Sequence, residues 1–277
     1  PEQKEKYLVP LMKGEKLGAF GATEPGAGTD LGGQQTRAED MGDHWLLNGS
    51  KIFITNGSYA DIYFVSAVTD PEQKSRGISA FIVEKGTPGF TFGKKEKKMG
   101  IRGSATYELV FQDCKIPKDN LLGERGKGFK TALTTLDGGR ISVGSQAVGI
   151  AQGAIDCCKK YVTEHSIGGQ LISKYQYTQF QLADMQTKVD AARLLVQRAA
   201  QAKQDGEPYA QYAAMGKLFA SETAVDVTRR CIDLVGIDGV SSNYPFERFM
   251  RDSKITEIYE GTSEVQRMVI SSAMGIK

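Results

Sequence analysis

Glu260 stands directly before Gly261, and the residues that follow, Thr262-Ser263-Glu264-Val265-Gln266, open a helical pattern. A carboxylate can act as a general base once a dry setting raises its proton affinity. Ser263 and Gln266 have capping-box spacing, which predicts a helix opening at Thr262–Ser263. The first-turn N–H groups of such a helix make an anion site, and glycine at 261 lets a ligand approach the main chain closely. A base would then lie beside an anion cradle. The same residues also fit a capped surface helix preceded by a solvated glutamate, so the motif alone leaves both readings open.

The elements that must position this motif fall into two compositional halves. From Leu17 to about Gly123 the pattern is strand and turn. Short β-rich runs (44–49, 61–68, 78–83, 106–111) are punctuated by Asn48-Gly49, Asn56-Gly57, Asp70-Pro71 and Thr87-Pro88-Gly89. That pattern predicts a small antiparallel barrel or sandwich. From Gly126 onward helical periodicity takes over, with helices expected near 127–165, 174–204, 208–236 and 246–274. Leu182, Met185, Val189, Ala192 and Val196 repeat at three and four, one apolar face of a core helix. The expected fold is therefore α+β: an antiparallel β-barrel or sandwich over 17–125, then an antiparallel four-helix bundle over 126–277.

Composition narrows the function classes. The chain has 277 residues, 40% hydrophobic and 25% charged, values ordinary for a globular protein with a full core. A formal charge of +2 gives no reason to expect nucleic acid or an anionic membrane as partner. The Lys94-Lys95-Glu96-Lys97-Lys98 run reads as a solvated hairpin end. No apolar run is long enough to span a bilayer, and no targeting segment is visible. Cys114, Cys157, Cys158 and Cys231 lack metal-ligand spacing and read as reduced packing residues. With His44 and His165 the only histidines, neither a histidine metal site nor a triad is expected.

Four ordered segments resemble the acyl-CoA dehydrogenase family. They are Phe20-Gly21-Ala22-Thr23-Glu24-Pro25-Gly26-Ala27-Gly28-Thr29-Asp30, Asn48 to Gly57, Thr135-Leu136-Asp137-Gly138-Gly139-Arg140-Ile141, and Ile258 to Gln266. They cover nearly the whole chain, and the short-chain, butyryl-CoA dehydrogenase-like branch looks nearest. Family members carry a helical domain ahead of the barrel. Residues 1–16 resemble its last helix, so the sequence is expected to begin mid-protein, and acyl chain length is not legible.

The resemblance implies a reaction and a set of roles. The family removes two hydrogens across the α and β carbons of an acyl-CoA thioester, with FAD taking the hydride. Glu260 matches the base of the main branches. Another branch places its glutamate one residue before the motif arginine, where this chain has Gly139, which cannot serve. Phe20, Ala22, Thr23, Gly28 and Thr29 resemble the loop that wraps the flavin ring and diphosphate, and Phe53, Ile54 and Thr55 the segment beside the ring. Gln176, Thr262, Ser263 and Glu264 match further FAD contacts. Thr29, Asp137, Arg140 and Gly261 match substrate contacts, Gly261 through an N–H that polarises the thioester carbonyl.

Two places break the family pattern. His165 stands where a family arginine binds the FAD diphosphate, and Asp233 where a neutral amide meets the cofactor, with Ile237 replacing a nearby glycine. Both suggest a weakened cofactor end. The resemblance further implies a homo-oligomer (a dimer of dimers), an electron-transfer flavoprotein as acceptor, and a cytoplasmic or mitochondrial-matrix location. A non-catalytic or half-site subunit of a hetero-oligomer is the alternative reading.

Overall fold

The computed structural model describes residues 1–276. The chain separates into two compact units, residues 1–98 with 102–134, and residues 99–101 with the chain from 135 onward. No helix among the described residues is long and apolar enough to cross a membrane.

The first unit is one curled sheet of seven strands: β1 (Gly18–Gly21), β2 (Arg37–Asp40), β3 (His44–Thr55), β4 (Ile62–Val68), β5 (Ile78–Glu84), β6 (Phe90–Lys95) and β7 (Thr106–Pro117). Their order is β1-β4-β2-β3-β7-β6, with β5 on β4. Along β3 the buried residues Trp45, Leu47 and Ile54 join Tyr63, Phe81, Leu109 and Phe111 in one core. A short N-terminal helical segment, continued by α1 (Val9–Met12), lays Tyr7 and Leu11 on Ile62 and Ile82. The β2–β3, β3–β7, β4–β5 and β6–β7 pairings are antiparallel as expected. The sheet as a whole is mixed, because β1 runs parallel to β4 and Arg37 of β2 bridges Val68 in parallel. The long connection from residue 21 to residue 62 is what a parallel pairing requires and a hairpin would not allow.

Two bulges bend β3 against β7, one between Leu47 and Gly49, the other between Lys51 and Ile54. At the first, Gly49 has φ +142°, and a Cβ there would lie 2.6 Å from the Thr36 hydroxyl. At the second, Phe53 takes φ +58° and its ring turns outward, 61% exposed. A bulge re-aims a side chain in this way without breaking the strands on either side.

The second unit is helical: α2 (Gly128–Glu164, its residues from 135 onward), α3 (Gln176–Gln204), α4 (Ala210–Val235), α5 (Phe246–Ser253) and α6 (Ser263–Ala273). A two-stranded hairpin, β8 (Ser166–Ile167) and β9 (Gln170–Leu171), turns at Gly168-Gly169, both at positive φ. Met185, Val189, Ala192 and Val196 are buried as the periodicity predicts, and Leu182 packs at the edge of that core. Gly144 of α2 and Gly216 of α4 let both helices close on Val196 of α3, since a Cβ at either would lie within 3.3 Å of it. The four cysteines are free, with Cys158 and Cys231 buried.

One expectation is corrected here. A single fourth helix over about 246–274 is not formed. Instead α5 ends at Ser253, a 3₁₀ turn covers Lys254–Glu257, and α6 starts only at Ser263. The cause is local: Glu260 at φ +55° and Gly261 at φ +91° are both left-handed, and no right-handed helix passes through such a pair.

Sequence reasoning passed over Lys51, which has no exposed surface and lies in the first unit's interior. Its Nζ is 2.7 Å from Glu24 Oε1 and 2.8 Å from Gln34 Oε1. Glu24 also accepts the Gln35 N–H at 2.6 Å and the Thr36 N–H at 3.1 Å, so one pair pins both ends of the 24–36 loop. Burial pulls the Lys51 pKa down to about 8, with Glu24 drawing it back up. Burial pushes Glu24 up, but the Lys51 charge and the hydrogen bonds more than offset this and hold it below the usual range. Lys51→Met strands a buried carboxylate and is expected to cost about 3–5 kcal/mol in chemical denaturation. Adding Glu24→Gln should restore much of that loss. A single variant as stable as the parent would show the pair does not hold the loop.

Candidate active site

Glu260 is delivered by the break between α5 and α6. A non-glycine residue in the left-handed region carries a strain that the surroundings must hold. The carboxylate lies on Gly139 of α2, where an added Cβ would come 2.5 Å from its Oε2. Glycine at 139 therefore makes room for Glu260, which is why that position could carry no base of its own.

Charged and polar groups converge on the same point. Arg140 is buried and donates from Nη1 to Asp137 Oδ1 at 2.5 Å, with the aspartate half-buried. Lys217 of α4 is fully buried and donates to the Gly261 carbonyl at 2.7 Å. Gln266 of α6, also fully buried, donates from Nε2 to the carbonyls of Gly261 at 2.8 Å and Glu260 at 3.2 Å. Thr262 caps α6 by accepting the Val265 N–H. The capping box expected from Ser263 and Gln266 is replaced by that cap, because the Gln266 amide is turned back onto the bend. Among the described residues, Arg140 Nε, Ser263 Oγ and Gln266 Oε1 are buried without a hydrogen-bond partner. Buried polar atoms left unpaired in a cluster are what a bound polar ligand would satisfy.

Burial pushes the Glu260 carboxyl above the usual glutamate range, while the Arg140 and Lys217 charges pull it partly back. Burial likewise raises Asp137 against the pull of Arg140. Lys217 is brought down to about 8 by burial and by Arg140, with Glu257, Glu260 and Glu264 acting the other way. Lys217 was missed in the sequence. Its signal was there: it lies in phase with buried Ala213, Ala220 and Ala224 on α4, a lysine inside an apolar stripe.

The remaining expected residues divide by unit. In the first unit, Phe20 stacks on Phe64 at 4.6 Å, and Ala22 and Ile54 are buried. Gly28, Thr29, Phe53 and Thr55 are exposed and Thr23 is half-buried. The loop is closed by paired Glu24 and Ala27 hydrogen bonds of 3.1 Å each way. In the second unit Asp137, Arg140, Glu260, Gly261, Thr262 and Ser263 fall together, whereas Gln176 and Glu264 are exposed on α3 and α6. The two departures from the family pattern are tied within their own chain. His165 stacks on Tyr161 at 3.8 Å and its Nδ1 bonds the Tyr161 carbonyl at 2.9 Å, which makes Nδ1 the protonated nitrogen. Asp233 pairs with Arg229 at 2.8 Å, and Ile237 is exposed.

Comparison with known proteins places this geometry. Residues 19–114 match the acyl-CoA dehydrogenase middle domain and residues 126–275 the acyl-CoA dehydrogenase C-terminal domain. The chain belongs to the acyl-CoA dehydrogenase family. It is 56% identical to a short-chain specific acyl-CoA dehydrogenase of Megasphaera elsdenii, over 98% of this chain and 71% of that one. The solved butyryl-CoA dehydrogenase of that organism superposes with TM-score 0.98 at 55% identity, covering 99% of this chain and 72% of its own. A chain solved in work on the electron transferring flavoprotein of Acidaminococcus fermentans, directed at flavin-based electron bifurcation, gives TM-score 0.98 at 56% identity, with 99% and 72% covered.

The family is one of FAD-dependent flavoproteins, and the first unit's residues fit a flavin. A Cβ added at Gly26 or Gly28 meets no atom within 4 Å, so the loop backbone stays open to close approach. The bulge at Phe53 presents an aromatic face and the Thr55 side chain beside it.

The raised Glu260 carboxyl has a consequence for stability. Folding raises its pKa, so its contribution is fully present below the unfolded value of about 4.3 and is lost as pH rises through the folded value. Ionisation of the side chain therefore works against folding. Glu260→Gln should be more stable than the parent at pH 7.5 in chemical denaturation, with the advantage shrinking toward pH 5. A less stable variant at pH 7.5 would contradict this.

Proposed function

We propose that this protein dehydrogenates short-chain acyl-CoA thioesters to trans-2-enoyl-CoA, with Glu260 as the base that takes the α-proton. The observation that carries the reading is the Glu260 carboxylate, raised in proton affinity by burial and seated on Gly139 beside Arg140. A carboxylate in that state binds a proton more readily than a solvated glutamate, which is what taking the α-proton requires. Gly261 N–H donates to the thioester carbonyl, which acidifies the α-carbon next to Glu260. Arg140, held by Asp137, anchors the CoA portion. FAD, when bound, supplies the acceptor for the hydride leaving the β-carbon. Phe20, Thr23, Gly28, Thr29, Phe53 and Thr55 are the first unit's residues that would hold it, together with backbone at Ala22 and Ile54. Gln176, Thr262, Ser263 and Glu264 are the second unit's.

An electron-transfer flavoprotein is the acceptor that this reading assigns, supported by the likeness to a chain studied with such a protein. The assembly is read as a dimer of dimers in which FAD is shared between copies. A non-catalytic partner subunit fits less well, because a subunit freed from catalysis would have no reason to keep a strained, desolvated carboxylate with a glycine cleared beneath it.

Glu260→Gln should retain acyl-CoA binding while flavin reduction slows by roughly 10²–10⁴, followed by stopped-flow absorbance. Arg140→Ala should act on binding instead, weakening the acyl-CoA complex about ten- to a hundredfold for one lost charged hydrogen bond. Near-parental reduction in Glu260→Gln would remove Glu260 as the base.

A further inference from the structure

Lys51 sits where two segments meet that are both assigned to the flavin. One is the loop after β1, with Ala22, Thr23, Gly28 and Thr29; the other is the β3 bulge, with Phe53 and Thr55. Three consecutive β3 residues join them. The Ser50 carbonyl accepts Thr36 Oγ1 at 3.3 Å, and the Ile52 N–H donates to the Thr23 carbonyl at 2.9 Å. Between them, Lys51 Nζ meets three acceptors: the Ala22 carbonyl at 3.3 Å, Glu24 Oε1 at 2.7 Å and Gln34 Oε1 at 2.8 Å. Gln34 extends the tie, accepting Ser66 Oγ of β4 at 2.7 Å and donating from Nε2 to the Leu31 carbonyl at 2.9 Å. Lys51, Glu24, Gln34 and Ser66 are all buried, so solvent does not compete for these bonds. Gly28 and Thr29 are exposed, and a Cβ at Gly28 would meet no atom within 4 Å, so their placement depends on the anchored residues on either side. The register shift that turns Phe53 outward also begins at Lys51.

We propose that Lys51 is a positioning residue for the flavin: from inside the sheet it ties the 22–36 loop to β3, so that the contacts offered by Ala22 backbone and Thr23 keep one fixed spacing from those offered by Phe53 and Thr55. The inference rests on the reading of both segments as flavin contacts, and it goes beyond the effect of the ion pair on stability. A loop free to shift against β3 is competent for the ring only part of the time, and affinity falls in proportion to that fraction. A loosely held ring also loses orientation, and a displacement of about 1 Å can cost on the order of 10² in rate. Replacing a buried ion pair by neutral groups of similar size is often neutral for stability. Removing both charges together therefore separates positioning from folding.

The test compares the parent with Lys51→Met combined with Glu24→Gln, each stripped of flavin and titrated with FAD. The double variant should unfold near the parent's denaturant midpoint yet bind FAD about tenfold more weakly, as for a loop competent a tenth of the time. At saturating FAD its bound flavin should show visible circular dichroism shifted toward that of free FAD, a change that a purely structural role would not produce. The limiting rate of flavin reduction by butyryl-CoA should fall by roughly 10–10² with little change in KM. Gln34→Met leaves the ion pair in place and frees the far end of the loop. It should act in the same direction, and it stands in if the double variant does not fold. Parental dichroism of the bound flavin in a folded variant overturns the proposal whatever the affinity, because the ring then sits as in the parent. A parent that takes up no FAD instead overturns the reading of these segments as flavin contacts, so the two failures are told apart.

Discussion

The left-handed bend at Glu260 and Gly261 is the constraint on which the second unit's site depends. It ends one helical run and allows another to begin, turning a carboxylate inward that a continuous helix would have carried around its surface. A turn of this kind is unfavourable for glutamate by itself. It persists because the Gly139 side chain is absent, because Thr262 caps the helix that follows, and because Lys217 and Gln266 hold the carbonyls of the bend. Desolvation then follows from position: burial raises the proton affinity of Glu260, and Arg140 and Lys217 keep the ionised form within reach.

The first unit uses the same device. Lys51 reaches the Ala22 carbonyl at 3.3 Å while paired with Glu24, and Lys217 reaches the Gly261 carbonyl at 2.7 Å. Each is a lysine with no exposed surface whose ammonium serves to hold backbone beside a functional loop. Burial brings both down to about 8, so each keeps its proton at neutral pH through carboxylates nearby. A buried ion pair is a poor source of net stability, and its use here is to fix a loop that glycines would otherwise leave free. The bulge at Phe53 complements it by turning an aromatic outward from a strand whose neighbours stay in the core.

Much of this was legible in the sequence, and the limits have physical reasons. Period-two and period-3.6 patterns reveal which faces are buried, so the two halves and the α3 stripe could be read directly. Strand direction could not, because alternation is the same for parallel and antiparallel neighbours, and β1 alongside β4 is parallel. The helix break at 260 was half visible: Gly261 and the cap at Thr262 signal a start, but nothing in Glu260 announces a positive φ. Lys51 and Lys217 were passed over because a lysine reads as solvent-facing until its partners are known. His165 shows another limit: its place in the family pattern suggested a cofactor contact, and the sequence did not show that its ring stacks on Tyr161 or that its Nδ1 bonds a carbonyl of its own helix.

The account stands or falls on whether this chain binds flavin and whether an acyl-CoA reduces it through Glu260. The direct measurement is anaerobic mixing of the FAD-loaded protein with butyryl-CoA, following flavin absorbance and the formation of crotonyl-CoA together. The account predicts bleaching of the flavin band in step with enoyl product. A protein that takes up no FAD, or a flavin band that persists with saturating butyryl-CoA bound, would contradict it.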